Sequence, residues 1–373
     1  RDRLVDVSVI HAFNGVPVHD CDENVQQILA DLGFESMGDG ERYIRGGVVD
    51  PMPRKKINRI LFHHHSLHQK TRFENETMAL DHLEELRDDF ALRGRCEMFR
   101  VDLKSMAAAH QLHQGTNLRG HLVWARMTHF QRLLTIRNVS APEEDEDILQ
   151  FFREHHDPTI FMERHAMKRG EFRKLISPLV RSGHLVQDYR GGFKAVEPLR
   201  DSDLWEVKRD YLRDLVQHYP VITLKQVERL AGSPFSAEEI SDVMREFEED
   251  GTLIKGFLVD DMHDVCWGRH ALLEGTDAIT RTRDLVIPPS DPLIHYFGSL
   301  LRERFGYGSA YLVFHREEPV AAFKANTREG VIHITDFVGD SDLEKEALRV
   351  MKEFAWEHDM PLRGKLYERL RTR

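Results

Sequence analysis

The chain of 373 residues carries 52 lysines and arginines against 63 aspartates and glutamates, a formal charge of −11, with 41% hydrophobic and 31% charged residues. That length suggests about two to four domains, each large enough to bury a core, and the composition excludes a disordered or fibrous chain. No apolar stretch approaches the ~18–20 residues that span a bilayer, and no secretory signal pattern opens the sequence, so no membrane partner is expected. Cys21, Cys96 and Cys266 are scattered. They form neither a disulfide framework nor a CxxC metal pair, which points to a reducing, cytoplasmic setting.

In chain order, residues 1–142 read as a mixed α/β, mostly helical region. The alternation Leu4–Val5–Asp6–Val7–Ser8–Val9–Ile10 predicts a strand, followed by a turn at Asn14–Gly15. Asn24 to Leu32 has helical spacing with Gly33 as its stop, and Glu41–Arg45 predicts a short strand. Helices follow over 54–70, 75–93, 102–114 and 119–135. The acidic run Glu143–Glu144–Asp145–Glu146–Asp147, just after Pro142, marks a boundary and suits the first turn of the next helix.

Two similar units come next, over 143–202 and 203–277. In the first, a helix from Glu171 to Arg181 leads into a strand at Gly183–Val186, a turn at Gly191–Gly192 and a return strand at Phe193–Val196. In the second, Thr223 caps a helix from Leu224 to Leu230 and Ser236 caps another from Ala237 to Glu249. A hairpin is then expected from Gly251–Ile254 and Phe257–Val259, ending near Cys266–Trp267. Helix, turn, helix and two-stranded wing is the winged-helix plan, and its glycine junction recurs at Gly183 and Gly251. Over 278–373 a small β-rich α+β module is expected: an entrance at Pro288–Leu293, strands at 310–314, 319–324 and 331–335, and a helix from a Ser341 cap to Glu357. The fold class is therefore α+β.

The net charge argues against a nucleic-acid partner, but its distribution does not. Residues 51–72 hold six basic and no acidic residues, and 160–200 hold nine basic and four acidic. The stretch 221–267 holds four basic and eleven acidic. Screening confines a phosphate's view to about 8–10 Å, so local charge decides. Lys168, Arg169, Arg173, Lys174 and Arg181 of the first unit, with Arg190 and Lys194 on its wing, fit either a groove-reading surface or a solvated basic face. The second unit's acidic helix would repel a phosphate strand; it fits packing, or a protein partner. Arg54, Lys55, Lys56 and Arg59 offer a further DNA-contact helix or plain surface. His64 and His68 share zinc-ligand spacing but lack a third ligand, so no metal is expected.

Catalytic signals are sparse: there is no Walker A loop, GxGxxG, GxSxG or HExxH. Asp291 in its proline-framed loop could be a positioned carboxylate or simple turn chemistry. Gln111–Leu112–His113, with Asn117, Arg119 and His121, forms a polar cluster that could orient a water or read a flipped base, or could be a polar helix face.

Leu179–Val180–Arg181–Ser182–Gly183–His184–Leu185–Val186, then Gly192–Phe193–Lys194–Ala195–Val196, resembles the wing of a family of winged-helix DNA glycosylases. These are bacterial enzymes that unhook interstrand crosslinks and remove bulky alkylpurines. Ile287–Pro288–Pro289–Ser290–Asp291–Pro292–Leu293 with Phe305–Gly306–Tyr307 is similar to the family's entrance to its C-terminal β-rich domain. Pro319–Lys324 and Gly330–Ile334 match the strands after it. The unit from Gly251 to Trp267 is also similar to the winged helix of large helicase-related proteins. The resemblance covers roughly 155–373. It implies a DNA-repair function with duplex DNA as partner, hydrolysis of an N-glycosidic bond, and no cofactor. The family's catalytic signature is Gln–apolar–Gln or Gln–apolar–Asp; here Gln111–Leu112–His113 ends in histidine. Gln111 and Asp291 are the candidate catalytic residues. The alternatives are a non-catalytic winged-helix regulator, a helicase-associated module, or a protein-interaction scaffold.

Overall fold

The computed structural model describes residues 34–36, 43–45, 52–65, 67, 103–120, 122–200, 202–256, 258–259, 265–269, 273, 283–289, 291 and 293–371. The elements expected over 4–32 and 75–93 lie outside them, as do His68 and His121. Strands β1 (Phe34–Ser36) and β2 (Tyr43–Arg45) pair antiparallel, the second within the stretch where the sequence predicts one. Helix α1 (Arg54–His64) stops well short of residue 70. It buries Ile57, Ile60, Leu61 and Phe62, and the Phe62 ring meets Phe314 edge-on at 4.9 Å between centroids.

The helices expected over 102–114 and 119–135 are interrupted by a hairpin. Helix α2 (Leu103–His110) ends at Gln111, whose φ of 54° is left-handed, and strands β3 (His113–Thr116) and β4 (Leu122–Ala125) precede α3 (Met127–Arg137). The correction has a local cause. Asn117 and Gly120 turn the chain, with Gly120 at φ 80°, and Gly115 sits where a Cβ would strike Phe130 and Val186. Strand β3 pairs with the adjacent β4 and, on its other side, with Gln187 and Asp188 from much later in the chain.

The acidic run forms a short 3-10 turn (Glu143–Asp145) leading into α4 (Glu146–Glu154), where its charge suits the helix N-terminus. Helices α5 (Pro158–Arg164) and α6 (Arg169–Ser182) follow, then β5 (Leu185–Asp188) and β6 (Phe193–Ala195). Phe151, Phe152, Phe161, Phe172 and Phe193 fill this unit's core. Its hairpin does not stand alone, since the sheet order is β4-β3-β5-β6.

The second unit has α7 (Leu204–Val216), β7 (Val221–Ile222), α8 (Leu224–Ala231) and α9 (Ala237–Glu249), with β8 (Leu253–Gly256) and β9 (Cys266–Arg269). Both caps form as the sequence predicts. Thr223 Oγ1 accepts the Gln226 N–H at 3.3 Å and Ser236 Oγ accepts the Glu239 N–H at 3.0 Å, each reciprocated by the side chain three residues on. The return strand is β9 rather than 257–259, because Leu258 turns away and its carbonyl accepts the Met52 N–H at 3.0 Å.

The last region is a five-stranded sheet, β10-β11-β12-β13-β14, formed by Leu285–Ile287, Tyr311–His315, Glu318–Arg328, Val331–Gly339 and Leu362–Arg363. Its alternation feeds two cores. Val286, Val313, Ala321 and Phe323 pack with Ala347, Leu348, Met351 and Phe354 of α12 (Glu344–Glu357). Leu285, Ile287, Leu312 and Phe314 join the central core, with Leu61 and Phe62 of α1. Strand β10, the short helices Leu293–Tyr296 and Gly298–Phe305, strand β14 and the helix Lys365–Arg371 add to the expected module. A 3-10 turn from Ser341 to Leu343 replaces the expected Ser341 cap, and Ser341 Oγ donates to the Asp342 carboxylate instead.

The paired glycines differ in a testable way. Gly183 and Gly251 follow α6 and α9 with φ of 87° and 78°, yet a Cβ at Gly251 meets nothing while one at Gly183 falls on the Arg137 guanidinium. Gly251→Ala should cost about 1 kcal/mol, the left-handed penalty alone. Gly183→Ala should cost roughly 2–3 kcal/mol, because it also displaces a held arginine. Denaturant melts of the two variants would show it; equal losses would mean that Arg137 yields freely.

Candidate nucleic-acid interface and reaction site

Helix α6 forms because Phe172, Ile176 and Leu179 recur on one face and the Glu171 carboxylate accepts the Lys168 N–H at 2.9 Å. The opposite face leaves Lys168, Arg169, Arg173, Lys174 and Arg181 exposed. Among the described residues none of these five forms an ion pair. Cations held on a helix without carboxylate partners favour an anion from outside.

The hairpin beyond α6 is held by its first residue. Asp188 Oδ1 accepts the N–H groups of Arg190 and Gly192, both at 2.8 Å, and Gly191 takes φ 91°. That turn presents Tyr189 and Arg190 at the tip. The Arg190 Nε donates to the Tyr189 hydroxyl at 2.7 Å, and its guanidinium lies 5.2 Å from the ring centroid.

Strand β3 runs along this hairpin, with His113 opposite Asp188 and Gln114 opposite Gln187. That register brings His113, two residues after Gln111, to the turn end of the β5–β6 hairpin that carries Arg190 and Lys194, joining two features far apart in sequence. Gln111 is exposed and His113 half-buried. The His113 Nδ1 is enclosed and makes no hydrogen bond among the described residues. Burial, then the Lys194 charge, holds this imidazole below its ordinary pKa, with Asp188 opposing. Its neutral form therefore dominates at neutral pH.

Arg137 fixes the other end of β3. Its guanidinium donates to the carbonyls of Thr116 at 2.7 Å, Asn117 at 2.6 Å and Ser182 at 3.2 Å, and Thr116 Oγ1 donates to the Val180 carbonyl at 2.8 Å. Asn117 is buried and holds the Arg119 N–H, while Arg119 reaches the Arg229 carbonyl at 3.4 Å. The polar cluster seen in the sequence thus splits: His113 lies beside the β5–β6 hairpin, Asn117 closes its own loop, and Arg119 ties that loop to the second unit. Arg137, Asp188 and Tyr189 are the members that sequence reading missed. Only the Arg–Asn pair ending an apolar helix and the Asp–Tyr–Arg–Gly–Gly turn signalled them.

The remaining candidates lie elsewhere. Asp291 has no exposed surface, and its Oδ1 accepts the Leu293 N–H at 2.9 Å, the geometry of a turn cap. A side chain so enclosed cannot touch a base. On α1, Lys55 is exposed and Arg54 and Lys56 are half-buried. Arg59 donates to both carboxylate oxygens of the buried Glu317 at 3.1 and 3.4 Å, pinning α1 to the β11–β12 turn. No cluster of side chains suited to a metal occurs among the described residues, and no described helix is long and apolar enough to cross a membrane.

No family model and no curated protein matches the chain. Among solved structures it is similar to the Streptomyces sahachiroi DNA glycosylase AlkZ, with a TM-score of 0.56 and 12% identity over 84% of this chain and 100% of that one. The fold is DNA glycosylase-like.

Proposed function

We propose that this chain is a DNA-binding repair protein that hydrolyses the N-glycosidic bond of a damaged base, with residues 143–202 and 203–277 acting as tandem winged helices and 278–373 as a C-terminal α+β module. The observation that carries it is the β3–β5 register, which pairs His113 with Asp188 in a hairpin bearing Arg190 and Lys194, in a fold similar to that of a DNA glycosylase; Gln111 precedes His113 by two residues. In this reading α6 and the wing grip duplex phosphates through Lys168, Arg169, Arg173, Lys174, Arg190 and Lys194. A base drawn from the stack meets Gln111 and His113. Water then adds to the anomeric carbon as the C1′–N bond breaks. The base leaves with the bonding electron pair and takes up a proton, while the attacking water gives one up. The Gln111 amide and the neutral His113 imidazole are the groups that orient that water and receive its proton. No cofactor enters the scheme, and a cytoplasmic location suits it.

The second unit serves as a spacer in this scheme. Four of its acids are engaged at home: Glu239 with Lys208 at 2.5 Å, Asp242 with Arg245, Glu248 with Lys255 at 3.9 Å and Asp250 with Arg213 at 3.7 Å. We place Asp291 and Arg59 outside the site, since each is committed to an internal contact.

The test is base release from duplexes carrying alkylated purines, uracil or an interstrand crosslink, without metal or ATP, beside salt-dependent binding. Arg173→Ala, Lys174→Ala and Arg190→Ala should each weaken binding and flatten the log-affinity against log-salt slope by about one. Binding without release on every duplex would leave the alternative, a winged-helix regulator or helicase-associated module that keeps the architecture without the chemistry.

A further inference from the structure

Resting on the proposed DNA reading, we infer that Tyr189 with Arg190 is a base-stacking device that fills the gap left in a duplex by a missing or extruded base. Four observations meet at this tip. First, the two side chains are locked together: a 2.7 Å hydrogen bond runs from the Arg190 Nε to the Tyr189 hydroxyl, and the guanidinium lies 5.2 Å from the ring centroid. The pair is thus one joined aromatic and cationic tip rather than two independent side chains. Second, the turn beneath is rigid, because Asp188 Oδ1 binds the backbone on both sides of the tip, at Arg190 and Gly192. Third, Gly191 is left-handed and Gly192 lies so close to the Asp188 carboxylate and the His156 carbonyl that neither position accommodates a side chain cheaply. The backbone path of the turn is thereby fixed. Fourth, the residue opposite Asp188 in the sheet is His113, so the tip and the site to which a base would be drawn are a strand-width apart.

A flat aromatic surface offers a base no sequence-specific contact but stacks on any of the four. A guanidinium beside it supplies charge for the flanking phosphate and can stack in its own right. A wall of basic residues alone has no use for a tyrosine here. The substrate class that matches is DNA in which one stacking position is open: an abasic site, a bulge, or a duplex whose damaged base has left the helix.

Equilibrium binding to two duplexes, identical except for one stable abasic analogue, tests this. The wild-type protein should prefer the abasic duplex by about tenfold, the size of one base–aromatic stack. In Tyr189→Leu that ratio should fall toward one, in Tyr189→Trp it should persist, and in Arg190→Ala both affinities should drop together. A 2-aminopurine opposite the gap should be quenched by the wild type and not by Tyr189→Leu. A wild-type ratio of one, or a ratio unchanged in Tyr189→Leu, overturns the inference while leaving the DNA-binding reading intact. Failure to bind either duplex overturns both.

Discussion

Arg137→Leu is expected to cost about 3–5 kcal/mol of folding stability, more than any other single change considered for this chain. The guanidinium donates to three backbone carbonyls, from Thr116, Asn117 and Ser182, of which Asn117 also accepts the Gly120 N–H at 2.9 Å. A hydrogen bond from a charged donor contributes roughly 1.5–3 kcal/mol, and a carbonyl left unpaired in the interior costs about 1–3 kcal/mol. Partial exposure of the arginine brings the total below the simple sum. Arg137→Lys should recover little, since a single ammonium cannot span carbonyls that a planar fork reaches at once. Denaturant unfolding with hydrogen exchange on β3 would read both effects: the amides of 113–116 should lose protection before those of α12. A loss below about 1 kcal/mol would mean that water replaces the guanidinium and that β3 is held by its ladder alone.

The second large effect concerns the proposed chemistry. Single-turnover base release should fall by about 10²–10⁴ in Gln111→Ala and in His113→Ala, with duplex affinity changed far less. The pH dependence follows from the direction in which burial and Lys194 move the imidazole. His113 works as a neutral acceptor, so its contribution is full at neutral pH and is lost as pH falls through a value below the ordinary 6.5. His113→Gln should keep part of the rate and abolish that acid limb, because a carboxamide orients water without titrating. A wild-type profile with no acid limb, or full activity in His113→Ala, would remove His113 from the mechanism.

What the sequence disclosed here were the features with local causes. The caps at Thr223 and Ser236 are read from residues three apart, and each formed with its reciprocal partner. Helix α6, its left-handed Gly183 and the β5–β6 hairpin follow from an apolar stripe, a stop and a Gly–Gly turn within one stretch. The β3–β4 hairpin was not legible in this way. The short apolar run around Val123 suits a helix as well as a strand, and its pairing with β3, which in turn pairs with the distant β5, decides for the strand. For the same reason His113 and Lys194 could each be noted in the sequence, while their proximity to each other and to Asp188 could not. Asp291 shows the opposite failure. A proline-framed aspartate reads alike whether it faces a groove or closes a turn, and only its complete enclosure separates the two.

The shared sheet β4-β3-β5-β6 also governs how this molecule could be divided. A fragment beginning after Pro142 would keep every helix of the first unit and its whole aromatic core, yet it would leave one margin of β5 open, with the backbone groups near Gln187 and Asp188 unclaimed. Such a margin is an adhesive edge that invites a second chain to supply the missing strand. In the intact protein that role is filled from within, by β3, which begins at His113. The strand that covers the edge of β5 is thus the same one that brings His113 beside the hairpin, and neither property can be altered without disturbing the other.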